Sequence, residues 1–419
     1  MAANQNLLYQ RSDNLIALAG TVGIKDFRKV LAIIHKIVND LRYPELTLDF
    51  SSCEAAFPGA MLPICSYAMA LRDARIETNI VLPTNERLAR LFINTNWAHF
   101  IEPRRYDMSK RLGQNQVPTL SFKNSEEQNA CVDRLVSGML SAVSGLHRTD
   151  FAAVEWALNE ITDNVLNHSE SRIGGIVQLS IFEKKKRGVE FTVCDAGIGI
   201  PKSLREAKPE IHSDIEALEA AIKEGVTRNK ITNQGNGLYG SFEICNVSGG
   251  SFDIHSGNAY LALHNKELSI KSENIPFDGT LVDARIDFSN SSLLEEALKF
   301  KGKKHIPIDF IENRYEEDSL QKIAFVMSQE SRSFGSRLAA KPVKIKLANL
   351  IEMCKGQKIQ IDFSEISVIS SSFADEVFGK LFLELGPMRF MGTMEFINSS
   401  DTILNLIDRA IKQRASTVA

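Results

Sequence analysis

The chain has 419 residues, which is long enough for two to four domains that each bury a core of their own. Hydrophobic residues make up 44% and charged residues 24%, as in an ordinary soluble globular protein. The formal charge is -3, from 49 Lys and Arg against 52 Asp and Glu, so the whole chain offers no charge that would attract nucleic acid or a membrane surface.

The start of the sequence shows no targeting pattern, and the cysteines lack the spacing of a metal site. The start MAANQNLLYQRSDN lacks the basic and apolar regions of a signal peptide, and no apolar run approaches the length of a membrane span. We therefore expect a cytoplasmic protein that does not contact membranes. Six cysteines are scattered without a CxxC pair, and several lie in apolar runs, so they are predicted to be buried free thiols rather than disulfides or zinc ligands.

Residues 1–120 read as a small α/β domain in which strands and helices alternate. LTLDFS and NIVLP are predicted strands, whereas MLPICSYAMALRDA and ERLARLFINTNWAHFI are predicted helices.

Residues 121–290 follow a different pattern. Two helical stretches come first, then an apparent hairpin, GIVQLSIFEKKKRGVEFTVCDAG, a glycine-rich region, and the strands SFDIHSG, YLALHN and TLVDARIDF. Helices followed by an antiparallel sheet predict a two-layer α/β sandwich.

Residues 291–306 read as a charged linker, and the α/β pattern returns in residues 307–419. The segment LTLDFSSCEAAFPGAMLPICSYA resembles IQIDFSEISVISSSFADEVFGKL, since each has an apolar strand ending in Asp-Phe-Ser and then an amphipathic helix. The repeat predicts two related domains on either side of a different middle one.

The helix containing NEITDNVLNHS carries polar residues at steps of four. Glu160, Asn164 and His168 therefore lie along one face of the helix. The side-chain oxygen of an Asn can bind a Mg²⁺ ion whose other ligands are phosphate oxygens and waters. A carboxylate one helical turn away can deprotonate a water or a hydroxyl group. The alternative is a polar face that only meets solvent. His168 is expected to pack or to cap the helix rather than contact a nucleotide.

A second motif, Cys194 to Gly199 (CDAGIG), ends an apolar strand in Asp195 and two glycines. Glycines let the backbone approach a flat ring closely, and a buried carboxylate can accept a hydrogen bond from the amino group of adenine. A plain strand-ending turn would use the same residues.

The third motif runs from Thr227 to Lys230 (TRNK) and from Gln234 to Gly240 (QGNGLYG), ahead of an apparent helix. A glycine-rich loop before a helix offers backbone N–H groups to phosphates, and Arg228 or Lys230 could add charge. A flexible connector is the alternative, and the loop does not follow a strand as a dinucleotide-binding motif would.

Taken together, the motifs resemble the ATP-binding (Bergerat) domain of the GHKL superfamily, which includes gyrase, heat-shock chaperones, histidine kinases and mismatch-repair proteins. ExxxN on a helix, DxGxG after a strand, a GxGL loop and Gly279-Thr280 entering a late strand match in order and spacing over residues 126–288. By this resemblance Thr280 would lie beside Asp195.

The resemblance also implies roles for the residues of the first two motifs. Glu160 would be the general base, Asn164 the Mg²⁺ ligand, and Asp195 the residue that recognises adenine. Gly197 and Gly199 would line the adenine pocket, so ATP and Mg²⁺ are the expected cofactors.

The glycine-rich region would supply a mobile ATP lid spanning residues 202–236. Gly235, Gly237 and Leu238 would form its hinge beside the phosphates, with Arg228 as a further nucleotide contact. The sequence departs from the family at Tyr239, where many of its kinases have a second glycine, and this predicts a stiffer hinge.

The flanking domains look like the STAS family, in which a kinase of the same superfamily phosphorylates a serine at the start of a helix. Ser370, Ser371 and Ser372 occupy that turn in the last domain, whereas residues 55–59 (AAFPG) offer no acceptor in the first. The usual Asp before the serine and Gly after it are replaced by Ser370 and Phe373, so helix capping remains the alternative to a phosphosite.

The combination favours a cytoplasmic ATP-binding switch that resembles an anti-sigma-factor-type serine kinase fused to two STAS-like domains. Its expected partner is a regulatory protein or its own STAS-like domains, and a homodimer is compatible with the resemblance. An ATPase of chaperone or gyrase type is the main alternative. A sensor histidine kinase is disfavoured, because the best acceptor candidate, His147, lies beside Gly145 near a helix end.

Overall fold

The computed structural model describes residues 8–109, 116–183, 187–223, 225, 237–288, 293–300, 303–304, 310–317 and 322–418. The chain divides into two compact units, residues 1–135 with 156–305 and residues 136–155 with 306–419. Within the described ranges, no helix has both the length and the apolar character needed to cross a bilayer.

Unit 1 begins with a four-stranded sheet. Its strands are β1 (Leu8–Ser12), β2 (Leu15–Val22), β3 (Glu45–Ala56) and β4 (Glu77–Val81). The strand order is β1-β2-β3-β4, in which β1 and β2 are antiparallel and the other two pairs are parallel. The helices are α1 (Phe27–His35), which continues as a π-helix over Lys36–Asp40, α2 (Pro58–Asp73), α3 (Glu86–Asn94) and α4 (Trp97–Ile101).

One sequence prediction in this region is wrong. ERLARLFINTNWAHFI was expected to form a single helix, but the structure has α3 and α4 with a break between them. Asn96 adopts the left-handed conformation with φ of 68°, which a continuing α-helix cannot contain.

The second sheet of unit 1 has five strands. They are β5 (Gln116–Phe122), β6 (Gly175–Phe182), β7 (Gly188–Asp195), β8 (Ser251–His264) and β9 (Glu267–Asp287). All neighbours are antiparallel in the order β5-β6-β7-β9-β8, and β6 and β7 form the predicted hairpin. SFDIHSG and YLALHN, predicted as two strands, belong to the single strand β8, which has an irregularity at Gly257.

The helices that accompany this sheet come both before and after β6 and β7. They are α5 (Ser125–Ala142), α6 (Arg148–His168), α7 (Gly199–Ala207), α8 (Asp214–Ala221), α9 (Gly237–Ser248) and α10 (Leu293–Ala297). Helices α5 and α6 each contribute residues to both units. A short hairpin, β10 (Lys299–Phe300) and β11 (Lys303–Lys304), lies within the predicted linker.

The first sheet and its helices pack against one face of the five-stranded sheet. Ile176, Cys194 and Leu281 of the larger sheet belong to the same hydrophobic core as the first sheet and its helices. The indole N–H of Trp97 donates to Oε1 of Gln178 over 2.8 Å. The buried guanidinium of Arg28 donates to the carbonyls of Gly257, Ala259 and Ile275 over 2.6 to 2.9 Å. This arrangement fixes the first domain to the back of the larger sheet.

Unit 2 contains the third main sheet. Its strands are β12 (Glu316–Glu317), β13 (Lys322–Val326), β14 (Lys358–Asp362) and β15 (Met394–Ile397). The order is β12-β13-β14-β15, with one antiparallel edge pair followed by two parallel pairs. The first sheet has the same order and directions, as expected for the related domains that the sequence repeat predicts.

The helices of unit 2 complete the mixed α/β architecture. They are α11 (Phe310–Tyr315), α12 (Met327–Glu330), α13 (Arg337–Met353), α14 (Ser371–Ala374), α15 (Lys380–Leu385), α16 (Pro387–Thr393) and α17 (Asp401–Val418). A π-helical stretch, Asp375–Gly379, joins α14 to α15. The predicted mixed α/β class is confirmed, and all six cysteines are buried free thiols as predicted.

Candidate functional site

The polar face of α6 begins with Glu160 and Asn164, which are both half-buried. Neighbouring α6 residues Ile161 and Val165 are buried in the core, so the helix presents its apolar side inward. Burial, and to a smaller extent the charge of Asp163, raise the pKa of Glu160 to about 7. Glu160 can therefore take up or release a proton near neutral pH.

Helix α9 starts directly against Glu160. A Cβ atom added to Gly237, the first residue of α9, would lie 2.1 Å from Oε2 of Glu160, so only glycine fits while the carboxylate stays in place. The first turn of a helix has backbone N–H groups without helical partners and carries a partial positive charge. The arrangement brings a proton-accepting carboxylate to a helix start that is suited to phosphate.

Asp195 is the last residue of β7 and is only 2% exposed. Its Oδ1 accepts a hydrogen bond from the N–H of Gly197 over 2.8 Å, and the backbone of Thr280 also donates to the carboxyl group. Thr280 lies directly opposite Asp195 in the β7–β9 pairing. Burial raises the pKa of Asp195 to about 7, although the two backbone hydrogen bonds lower it.

The turn after Asp195 is joined to the end of α6. The N–H of Ile198 donates to the carbonyl oxygen of Ser169 over 2.7 Å, and a Cβ atom at Gly197 would lie 2.0 Å from that same oxygen. The hydroxyl of Ser169 in turn donates to the carbonyl of Val165 over 2.6 Å. The first two sequence motifs are thus held together, and the close approach explains the glycine at position 197.

A serine from β8 supports the same turn on its other side. Gly199 begins α7, and the N–H of Ile200 donates to Oγ of Ser256 over 2.9 Å. The Ser256 hydroxyl then donates to the carbonyl of Gly279 over 2.7 Å, next to Thr280. Sequence reasoning missed both Ser169 and Ser256. Ser169 at least follows the predicted polar helix face directly, whereas nothing local distinguishes Ser256.

The predicted ATP lid is only partly within the described residues. Helices α7 and α8 occupy its first part, and Leu238 packs against the small apolar core that they form. Arg228 and Gly235, together with the rest of residues 226–236, lie outside the described residues. The hinge prediction can therefore be located only at Gly237 and Leu238, the first two residues of α9.

His168 is the last residue of α6 and is half-buried, so it continues the polar face to the helix end. In the described part of the chain, no group of three or more His, Cys, Asp or Glu side chains could hold a metal ion. A Mg²⁺ ion at Asn164 would need phosphate and water oxygens to complete its octahedral coordination.

The three candidate phosphosites lie at the start of the helical stretch α14 to α15. Ser370 is the N-cap of α14, and its Oγ accepts a hydrogen bond from the N–H of Phe373 over 3.1 Å. Ser371 is exposed and Ser372 is half-buried. Ser370 is therefore engaged as a helix cap, whereas the side chain of Ser371 faces solvent.

Comparison with known families identifies two domains in the chain. Residues 149–289 match the family of histidine kinase-, DNA gyrase B-, and HSP90-like ATPases. Residues 341–404 match the STAS-like domain of unknown function (DUF4325). A search of curated proteins found no match, and a search of solved structures found none.

The first match contains Glu160, Asn164, Asp195, Gly237 and Thr280, and the second contains the serines at 370–372. The chain therefore carries a GHKL-type ATPase domain followed by a STAS-like domain, a combination that fits a regulatory ATP-binding protein.

Proposed function

We propose that this protein is an ATP-dependent regulatory protein kinase that transfers phosphate to a serine of a STAS-like domain, either its own or that of a partner. The observation that carries the proposal is the position of Glu160 against the first residue of α9, with a pKa near 7. A general base works best when its pKa is close to the working pH, because it is then both available and basic enough.

The polar groups at Asp195 fit an adenine nucleotide. The carboxylate accepts from the backbone N–H groups of Gly197 and Thr280 and, with two oxygens, keeps acceptor capacity for an exocyclic amine. Gly197 lets the turn after Asp195 approach Ser169 closely, and Gly237 lets the start of α9 approach the carboxylate of Glu160. In this proposal Asp195 binds adenine, Asn164 binds Mg²⁺, and the start of α9 binds phosphate.

ATP would supply the phosphoryl group, and the chain would orient it and accept a proton. Glu160 would take the proton from the attacking serine hydroxyl as Oγ forms its bond to phosphorus, and ADP would leave with the electrons of the broken bond. The same carboxylate could instead activate water. Hydrolysis is therefore the second candidate function, as in an ATPase of chaperone or gyrase type.

Ser371 is the best acceptor among the three serines because it is exposed and does not cap the helix. Asp375, one helical turn further along, pairs with Arg337 over 3.0 Å and with Arg414 over 2.6 Å. A phosphate on Ser371 would add nearly two negative charges beside this cluster and compete for its arginines. The contacts of α13, which begins at Arg337, would then change.

The first domain is proposed to be a STAS-like domain that has lost the phosphorylation step. Its sheet has the strand order and directions of the C-terminal sheet. At the corresponding turn, α2 begins after Phe57 without a side-chain cap, and residues 55–59 contain no hydroxyl group. This domain would then stabilise the ATPase domain instead of switching it.

The decisive experiment is incubation of the full chain with γ-labelled ATP and Mg²⁺. The kinase is supported if label appears on the protein, if mass spectrometry maps it to a peptide containing Ser370 to Ser372, and if Ser371→Ala loses it. Release of free phosphate without labelled protein would favour the ATPase. Glu160→Gln should abolish either reaction, and a chain that neither binds nor turns over ATP would refute the proposal.

A further inference from the structure

The turn between α5 and α6 is held by a buried amide from the C-terminal domain. Asn349 of α13 is 1% exposed, and its Nδ2 donates to the carbonyl oxygens of Leu140 over 2.9 Å and Val143 over 2.7 Å. Its Oδ1 accepts from the N–H of Leu146 over 3.1 Å. The last carbonyls of a helix lack partners within the helix, so Asn349 caps the end of α5. Both N–H groups and the oxygen of the amide are used.

A buried lysine adds a second hold on α5. Lys346, one turn before Asn349, is 4% exposed and donates to Oγ of Ser137 over 2.9 Å. Lys346 also pairs with Glu330, whose side chain is 3% exposed, over 2.5 Å. Because both ionic groups are buried, the pair depends on accurate geometry, and a displacement of α13 would leave a charge without a partner.

The first two turns of α6 are held in the same way. Arg148, the first residue of α6, pairs with Glu312 over 3.2 Å and with Glu316 over 2.9 Å. Glu155, two turns along the helix, accepts a hydrogen bond from the N–H of Phe310 over 2.8 Å. We call these contacts, together with those of Lys346 and Asn349, the α5–α6 clasp.

Helix α6 continues without interruption from Arg148 to His168. Glu155, inside the clasp, is only about 7.5 Å along the helix axis from Glu160, at 1.5 Å per residue. A tilt or rotation of the first turns would be carried along the continuous helix to the later turns, which hold Glu160 and Asn164.

We propose that the C-terminal domain positions the nucleotide-site face of α6 through the clasp, with Asn349 as the central positioning residue. This inference rests on the proposed function, because it assigns nucleotide contacts to Glu160 and Asn164. It implies a coupling that works in both directions. A change in the clasp alters the affinity for MgATP, and MgATP stabilises the clasp by the same factor.

The test compares Asn349→Ala with Asn398→Ala in the full chain. Asn398 belongs to the same domain and donates to Asp362 and Ser364, outside the clasp. We expect Asn349→Ala to weaken MgATP binding at least about five-fold, the lower end of typical coupling between sites, and the control to leave it unchanged. Calorimetry measures both variants.

Hydrogen exchange supplies the second readout. In the parent chain, MgATP should slow amide exchange in peptides from residues 137–150, and Asn349→Ala without nucleotide should speed exchange in residues 156–168. The pH at which turnover is half-maximal should also shift in this variant, because Glu160 moves relative to Gly237. A purely structural contact would change exchange near residue 349 and leave that pH unchanged.

The inference would be overturned if Asn349→Ala bound MgATP as tightly as the parent and exchanged amides in residues 156–168 at the parent rate, although exchange in residues 137–150 became faster. If Asn349→Ala does not fold, Arg148→Gln takes its place, since it removes the ion pairs to Glu312 and Glu316, and the same outcomes decide. The exchange measurement without nucleotide still tests the coupling if the parent binds no ATP. A parent chain that binds no ATP would refute the proposed function and leave the coupling to be decided by the exchange measurement.

Discussion

The buried carboxyl group of Asp195 should make the stability of unit 1 depend on pH. Burial raises its pKa from 3.8 to about 7, so the folded protein keeps the proton over a pH range in which the unfolded chain has lost it. For a group of this kind, the stabilisation is complete below the unfolded pKa and is lost as the pH rises through the folded pKa. Stability therefore falls between about pH 4 and pH 7.

The size of the effect follows from the shift. Each pH unit in this window costs about 1.4 kcal/mol, so the group should lower the free energy of unfolding by about 3 kcal/mol between pH 5 and pH 8. Asp195→Asn cannot ionise and should lose this part of the pH dependence. Glu160 contributes in the same direction in both proteins, so the difference between parent and variant isolates Asp195.

Both tryptophans of the chain, Trp97 and Trp156, lie in unit 1, so urea unfolding followed by tryptophan fluorescence reports on this unit. Asp107→Asn, at an exposed position of the same unit, controls for the loss of a carboxylate. The reasoning would be refuted if Asp195→Asn kept the parent difference between pH 5 and pH 8. Asp195→Asn should also weaken ATP binding by about 2 kcal/mol or more, because an amide NH₂ would replace an acceptor oxygen.

Three further predictions concern α6, α9 and the contact with the first domain. Glu160→Ala should keep ATP binding and lose turnover, and turnover in the parent should rise with pH through about 7. Asn164→Ala should weaken the Mg²⁺-dependent part of ATP binding. Turnover at the parent rate in both variants would contradict these roles. Gly237→Ala should displace the Glu160 carboxylate and lower turnover more than stability, because the clash is with the end of a flexible side chain, and kinetics beside urea unfolding separate the two effects. Arg28→Met should destabilise unit 1 by about 2 kcal/mol or more, because three carbonyls lose a buried charged donor, and an unchanged urea midpoint would exclude this role.

Local sequence patterns were sufficient for much of the ATPase domain. The spacing of Glu160 and Asn164 placed both on one helix face, and the apolar run ending at Asp195 predicted the strand β7. The structure also places Thr280 opposite Asp195, where the family resemblance put it. Helical periodicity, strand alternation and motif order are properties of neighbouring residues, so they can be read directly from a sequence.

Contacts between distant segments could not be predicted in this way. Arg28 looks like a solvated charge on an amphipathic helix, yet it binds the carbonyl of Gly257, 229 positions away. Ser256 likewise carries no local sign that it joins Ile200 to Gly279. Asn349 lies within an ordinary helical pattern, and its role depends on carbonyl groups more than 200 positions earlier. Such groups become partners only through the tertiary fold.

The first domain lies in unit 1 with the five-stranded sheet, whereas the C-terminal domain lies in unit 2 with the end of α5 and the start of α6. The first domain shares a continuous apolar core with the five-stranded sheet, including Cys194. Alternate residues of a strand face opposite sides, so Cys194 lies in this core and its neighbour Asp195 lies on the opposite face of the sheet. An extensive apolar contact is typical of permanent association, which fits a domain without a serine at residues 55–59.

The C-terminal domain holds α5 and the start of α6 through charged and amide groups, among them Lys346, Asn349 and Arg148, and through the ring contact of Phe310 with Phe151. Because the amide of Asn349 and the Lys346–Glu330 pair are buried, a displacement of α13 would leave polar groups without partners, so α5 and the start of α6 are expected to follow α13. Helix α13, which carries Lys346 and Asn349, begins at Arg337, and Arg337 pairs with Asp375 one turn from Ser371. In the proposed function, a phosphate on Ser371 would therefore act on α13 through Arg337, and α13 would pass the change to α6 through the clasp.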